Sequence, residues 1–457
     1  MSIDYRVGDT RKLVRNLPDG SVSLVASSPP FLALRDYLAA DHENKQAEIG
    51  NEPDPATFLD TLLGQTAEWG RVLAPWGSIA IELGDTYSGS GGAGGDYNAD
   101  GLRAGQGKAD GSAKRTRSVG TREHRAEREG TGADGGSRVV PLNGWPRPKS
   151  LALIPQLYAT SLAYGRNILT GEPSPAGQWL VRNVIVWHRT NPAVGALGDK
   201  VRPSTSYIVV ATRSAKRWFD LTAVRGDRSP NTHARTAVGV AARATTGKTA
   251  EKDGNFHTLA TTHETAGAPP LDTWLDEQDS VGSEYHDTWT ITTQPSRLAH
   301  YAMWPPKLAE RLVLSMCPLE VCTLCGEPRR RIERTTNALG GAVQRRAHRE
   351  AADPRDKRPN VASINDAPET SQRETLGWTD CGCNAPWTPG TVLDPFAGTG
   401  TTIITAGLHG RRGIGIDLDP RNADLVDARR AEVARALFGT APELPGQEAL
   451  DLFGAAS

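Results

Sequence analysis

Two short stretches carry residue types whose spacing suits chemistry, and they stand at opposite ends of a 457-residue chain. The first is Ser28-Pro29-Pro30-Phe31, directly after the apolar run of residues 21–27. A Pro-Pro unit fixes backbone direction and removes N–H donors. What remains is an acceptor set, the Ser28 hydroxyl oxygen and the Pro29 carbonyl, beside the flat face of Phe31. Such a corner suits a ligand that is itself an N–H donor. The exocyclic amine of cytosine or adenine is one, and it is a poor nucleophile because its lone pair is delocalised into the ring. Acceptors aimed at its two N–H bonds favour a more tetrahedral nitrogen and so stabilise the transition state of an alkylation more than the ground state. Phe31 offers a surface for a base taken out of its stack. Viewed only as local structure, Ser28 is a turn former and Phe31 a core aromatic.

The second stretch is Asp394-Pro395-Phe396-Ala397-Gly398-Thr399-Gly400-Thr401. It sits between an apolar strand pattern and a helical one, and the next strand pattern ends in Asp417, which is the start of a βαβ unit with an acid after its second strand. Gly398 and Gly400 let backbone amides approach a ligand, and Asp417 is placed to accept from ribose hydroxyls. The dinucleotide fingerprint requires a third glycine where this chain has Ile403, and the carboxylate of Asp394 before the turn repels a pyrophosphate. It suits a cation. S-adenosylmethionine has a sulfonium, an ammonium and no phosphate, and is the cofactor these residues favour.

The five cysteines are too few for a disulfide scaffold in this length. Four of them form two close pairs, Cys322-Thr-Leu-Cys325 and Cys381-Gly-Cys383, a candidate Cys₄ structural zinc site, with a gap of over 50 residues between the pairs that is longer than standard finger spacing. Reduced surface thiols are the alternative. Cys317 follows an apolar helical pattern and reads as a packed thiol. The arginine-rich stretch between the pairs is either a phosphate-contacting module or a solvated charge run. The net charge of −1 disfavours a nucleic-acid partner without excluding one, because local patches outweigh the total.

These residues need a scaffold. Residues 54–74 have a helical apolar period behind Asp54-Pro55, and 21–27, 77–85, 179–189, 205–214 and 390–394 read as short buried strands. A helix starts near Pro305-Pro306. The expected fold is α/β, a doubly wound, mostly parallel Rossmann-like sheet with loop-rich insertions. Its core comprises 1–87, 149–224, 296–316 and 388–436. A Gly-rich insertion fills 88–148, either a surface loop or a closing one; a candidate target-recognition region fills 225–295. A cysteine-bearing basic insertion fills 317–387, and a tail 437–457. No run of about 20 apolar residues is present, and the N-terminus lacks a signal pattern, so the expectation is a soluble, cytoplasmic chain with no membrane partner.

The Ser28–Phe31 corner and the Asp394–Gly400 turn together resemble the β-class amino-methyltransferases of DNA, and the order, catalytic corner before cofactor turn, resembles that class's circular permutation. Residues 5–31, 179–192, 216–225, 287–291 and 299–313 are similar to its other blocks. The resemblance implies a catalytic set of Ser28, Pro29, Pro30 and Phe31. It implies that Asp9, His300, Asp394, Phe396, Gly398, Gly400, Thr401 and Asp417 bind S-adenosylmethionine, with Asp9 near the adenine and His300 at the methionine end. Taken alone, Asp9 reads as a turn acid and His300 and Trp304 as helix-entry or core residues. The implied partner is double-stranded DNA with the target base flipped out, with a cognate restriction endonuclease as a further partner. In this class serine at the position of Ser28 usually goes with cytosine, and Asp or Asn with adenine, so the expected activity is transfer to the cytosine amine, adenine being the alternative. Methylation at cytosine carbon-5 needs a cysteine, in its own family after a proline, and no cysteine here follows one. A catalytically silent, zinc-containing DNA-binding protein on the same scaffold is the second alternative. Target recognition is expected from 225–285, the zinc-bearing insertion and the Gly-rich loop.

Overall fold

A computed structural model describes residues 3–34, 37–38, 41–88, 144–191, 201, 203–224, 288–293, 304–337 and 371–439. His300, residues 89–143, most of the 225–295 region and the arginine-rich stretch 338–370 lie outside these described residues.

Among the described residues eight strands form the central sheet. They are β1 (Ile3–Val7), β2 (Val22–Ser27), β3 (Leu73–Leu83), β4 (Leu180–His188), β5 (Thr205–Thr212), β6 (Thr288–Thr290), β11 (Thr391–Asp394) and β12 (Arg412–Asp417). Their order is β1-β12-β11-β2-β3-β5-β4-β6. Every neighbouring pair is parallel except the two that β5 makes, with β3 and β4. The N-terminal strand therefore lies beside the C-terminal one, and β2 beside β11, with Leu24 opposite Val392. This adjacency of the chain ends is what the permuted motif order requires. The fold class is as expected. Thr288–Thr290, within the block 287–291 noted above, adds an edge strand to the sheet beside β4.

Strand residues alternate between two apolar layers because successive side chains point to opposite faces. Val25, Ile79, Ile81, Val209 and Leu393 face one core; Leu24, Ala26, Ala80, Val210 and Val392 face the other. The first core is covered by α2 (Pro55–Val72) and α3 (Ile154–Tyr164), with Phe58, Leu62, Tyr158 and Leu162 inward. The second is covered by α4 (Pro306–Met316) and α5 (Thr401–Leu408). Other α-helices among the described residues are α1 (Thr10–Leu13), α6 (Pro420–Ala423) and α7 (Val426–Phe438). Asp54 caps α2 by accepting from the Thr57 amide at 2.9 Å, with Pro55 in the first turn, as the sequence suggests.

Strand β3 begins at Leu73, earlier than the residue-77 start its apolar run implies, because α2 runs into it without a loop. A register shift against β2 follows, and Gly77 makes it possible: a Cβ there would lie 2.8 Å from the Ser23 carbonyl oxygen. In β12, Gly413 and Gly415 let α5 settle on the sheet, since a Cβ at Gly413 would stand 2.7 Å from the Ile403 Cβ.

The cysteine-bearing insertion has its own pairings. Strand β7 (Glu320–Cys322) pairs antiparallel with β10 (Trp387–Pro389), and β8 (Arg331–Asn337) with β9 (Ser371–Trp378). Among the described residues no helix is long and apolar enough to cross a membrane.

Candidate active site

The crossovers β11–α5–β12 and β2–α2–β3 leave the sheet in opposite directions, so the strand order reverses between β11 and β2. A parallel sheet opens a crevice at such a point, outside the carboxyl ends of its strands. Here it is a cleft of about 1010 Å³ of empty volume, lined by Ser28 after β2, Asp394 at the end of β11, Asp417 at the end of β12 and Asp9 just after β1. The two motif stretches thus meet, and the Ser27 hydroxyl joins them directly by donating to Asp394 Oδ1 at 2.5 Å.

Pro30, Phe396, Gly398 and Thr401 also line the cleft. Pro29, Phe31 and Gly400 are absent from its lining. Pro29 is buried behind the corner. The Phe31 ring packs on Gly84, just after β3; a Cβ at that glycine would be 2.5 Å from the ring. Gly400 caps α5 with φ +82, and Gly398 has φ +52, so this turn uses the left-handed region twice, where glycine alone has no Cβ penalty. His300 is outside the described residues.

Asp394 is fully enclosed. Burial lifts its carboxyl to about 6, although hydrogen bonds from Ser27, Thr402 and the Phe396 amide oppose the rise. Asp417 is raised for the same reason, against donors from the Asp419 amide, Asn422 and the Gly398 amide. The Gly398 amide donates to its Oδ2 at 2.8 Å and Asn422 to its Oδ1 at 2.9 Å, which fixes the carboxylate at the mouth of the turn. Asp9 caps α1 and is held by the Arg11 guanidinium at 3.0 Å. With Glu48 and Asp419 also in the lining, the cleft is acidic and suits a cationic ligand better than a phosphate.

The sequence reading missed Glu82. It is the penultimate residue of β3, 3% exposed, and its Oε2 accepts the Ser28 hydroxyl at 2.5 Å. The signal was an acid inside the otherwise apolar run Ile79-Ala80-Ile81-Glu82-Leu83, where a buried charge demands a reason. Trp304 also lines the cleft, donating its indole N–H to Thr402 Oγ1 at 3.1 Å. Trp304 is also the core and helix-entry residue expected, buried directly before the Pro305 cap.

The four paired cysteines converge: their sulfurs all lie within 4.8 Å of one another. Cys317 is apart from them, fully buried, its thiol pushed up to about 12 by that burial.

A family profile described as DNA methylase matches residues 22–320 and 388–427. Among curated proteins, the Type II methyltransferase M.SfiI of Streptomyces fimbriatus is 26% identical over 219 residues, 48% of this chain and 38% of that protein. M.Cfr9I of Citrobacter freundii is 26% identical over 221 residues, 48% of this chain and 58% of that protein. The match therefore spans about half the length of these curated relatives or less. Among solved structures, a PvuII DNA methyltransferase described as cytosine-N4-specific aligns over 96% of this chain and 93% of its own, at 12% identity and a TM-score of 0.42.

Proposed function

Because this chain belongs to the DNA methylase family, we propose that it moves a methyl group from S-adenosylmethionine to the exocyclic amine of a flipped base in double-stranded DNA, the base being cytosine. The observation that carries the reading is the meeting of Ser28 and Asp394 in one acidic cleft. Asp394 and Asp417 would hold the cationic cofactor, with Asp9, Phe396, Gly398 and Thr401 lining its place; Gly400 shapes the turn from behind. S-adenosylmethionine supplies an electrophilic methyl on a sulfonium.

The chain's own residues then act on the amine. Ser28 donates its hydrogen to Glu82, so its oxygen lone pairs remain for an amine N–H. The Pro29 carbonyl, held by the Pro-Pro unit, is the second acceptor. Phe31, over Gly84 beside the cleft, offers a stacking face for the extruded base. Serine at position 28 supports cytosine over adenine. A partner endonuclease belongs to the same reading and is approached separately from the transfer itself.

The test is incubation of the full chain with DNA of diverse sequence and methyl-labelled cofactor, followed by digestion to nucleosides. Label in N4-methylcytosine is expected. Label confined to N6-methyladenine removes the cytosine assignment, and no label in DNA, with cofactor bound, removes the transferase reading.

A pH dependence follows from Asp394. Its folded value is raised from 3.8 to about 6, so the free native state keeps a proton that the unfolded chain releases. Stability of the free protein from this group therefore falls as pH rises from about 3.8 through 6. Cofactor binding runs the other way, since a cation wants the carboxylate. Calorimetry between pH 5 and 8 should show affinity falling as pH drops below about 6, by at most about tenfold per unit for one titrating group. A flat profile would separate Asp394 from the cofactor's charge.

A further inference from the structure

We propose that Cys322, Cys325, Cys381 and Cys383 bind one zinc ion as a tetrathiolate, and that this ion clips the root of the insertion against the end of the sheet opposite the cleft. Such a site would stand whether or not the chain transfers methyl groups.

The four sulfurs are gathered within 4.8 Å of one another, and no disulfide joins them. Each pair has the turn a metal knuckle requires. The residue after each second cysteine is left-handed, Gly326 at φ +72 and Asn384 at φ +50, and Gly382 between the second pair is at φ +74. The first knuckle is closed by the Gly326 amide donating to the Cys322 carbonyl at 3.0 Å. The knuckles are stitched together by Trp387 opposite Cys322 and by the Thr323 amide donating to the Pro386 carbonyl at 3.0 Å. Four soft thiolates in this compact set select zinc among common divalent ions.

What the ion would do follows from where it sits. Trp76, near the start of β3, donates its indole N–H to the Gly326 carbonyl at 2.9 Å, and Trp218 donates to the Arg329 carbonyl at 2.8 Å. Both indoles pack with Ala74 and Val321 in a small apolar cluster. Strand β10 leads within two residues into the start of β11. The knuckles therefore meet the amino ends of the strands, whereas Ser28, Glu82, Asp394 and Asp417 stand at the carboxyl ends. The described root of this insertion is thus remote from the cleft, although recognition was expected from it. The family match also omits 321–387, so the clip closes an addition to the common core. Among the described residues the insertion is otherwise held by the three-residue β7–β10 ladder, the longer β8–β9 ladder, the two indole bonds, the Arg330 guanidinium on the Arg217 carbonyl and the Arg331–Asp220 pair. A metal that closes a long loop contributes by removing chain entropy.

The full chain, purified without added metal, should hold one zinc per molecule by elemental analysis, and cobalt in its place should give the thiolate charge-transfer and d–d bands of a tetrahedral site. Cys325→Ser and Cys383→Ser should reduce metal to background. If those variants do not fold, mercurial titration of the native protein should release zinc in step with modification of four thiols. Hydrogen exchange after chelation should rise at 320–330 and 381–389 while β11 and β12 stay protected. Metal-free protein, bound iron, or zinc retained after four thiols are blocked would overturn the site. Unchanged exchange, or exchange raised equally over the whole sheet, would overturn the clip.

Discussion

Ser28→Ala is expected to lower the rate of methyl transfer by about a hundred- to ten-thousand-fold, the range typical of losing a positioned proton-handling group, while S-adenosylmethionine still binds. The reason is geometric. Ser28 is the group at the corner that faces the cleft and touches Glu82. Alanine keeps the Pro29-Pro30 turn and the buried Ser27–Asp394 bond, so the cofactor's side of the cleft is intact. What is lost is an acceptor for the amine and the oxygen through which its proton can leave. Single-turnover transfer and calorimetric cofactor affinity, measured on one preparation, separate the two effects. A rate equal to wild type would remove Ser28 from the chemistry; lost cofactor binding would mean that the corner is scaffolding instead.

Much of this site was legible because its parts are local. A strand, a Gly-rich turn and a helix follow one another in residues 391–408, and Asp394, Gly398 and Gly400 could be placed from that pattern alone. The Ser28 corner was legible for a similar reason: proline fixes backbone direction without tertiary help. The meeting of the two stretches was inferred from motif order, and the sheet order bears it out through Leu24 opposite Val392. Glu82 was not legible as a partner, because period and propensity do not say which residues of neighbouring strands end side by side. Its own strand looked like any buried strand with one anomaly. The block 287–291 was legible only through the family resemblance; its partner was not, and the structure sets Trp289 opposite Trp187 at the sheet edge. The cysteine pairs marked a candidate metal site, and the structure gathers the four sulfurs within 4.8 Å of one another; the cluster's position at the amino ends of the strands depends on Trp76 and Trp218, which are distant in sequence from every cysteine.

Glu82→Gln tests the other half of the proton path. When the amine nitrogen forms its bond to the methyl group it becomes cationic and must shed a proton. The Ser28 oxygen can take that proton only as its own passes on, and the acceptor it already faces is Glu82 Oε2 at 2.5 Å. Glutamine preserves size and leaves a carbonyl for the Ser28 hydroxyl, yet an amide is far too weak a base to receive the proton. The loss should therefore fall on kcat, by about a hundredfold or more, with affinities for cofactor and DNA and the unfolding transition close to wild type. Glu82→Asp, which keeps a carboxylate at shorter reach, should recover part of the rate. A purely structural carboxylate predicts the opposite pattern, because replacing it with an isosteric amide would disturb stability and leave turnover in the surviving folded fraction unchanged. Wild-type kcat in Glu82→Gln would place the departing proton elsewhere and leave Ser28 as an acceptor alone.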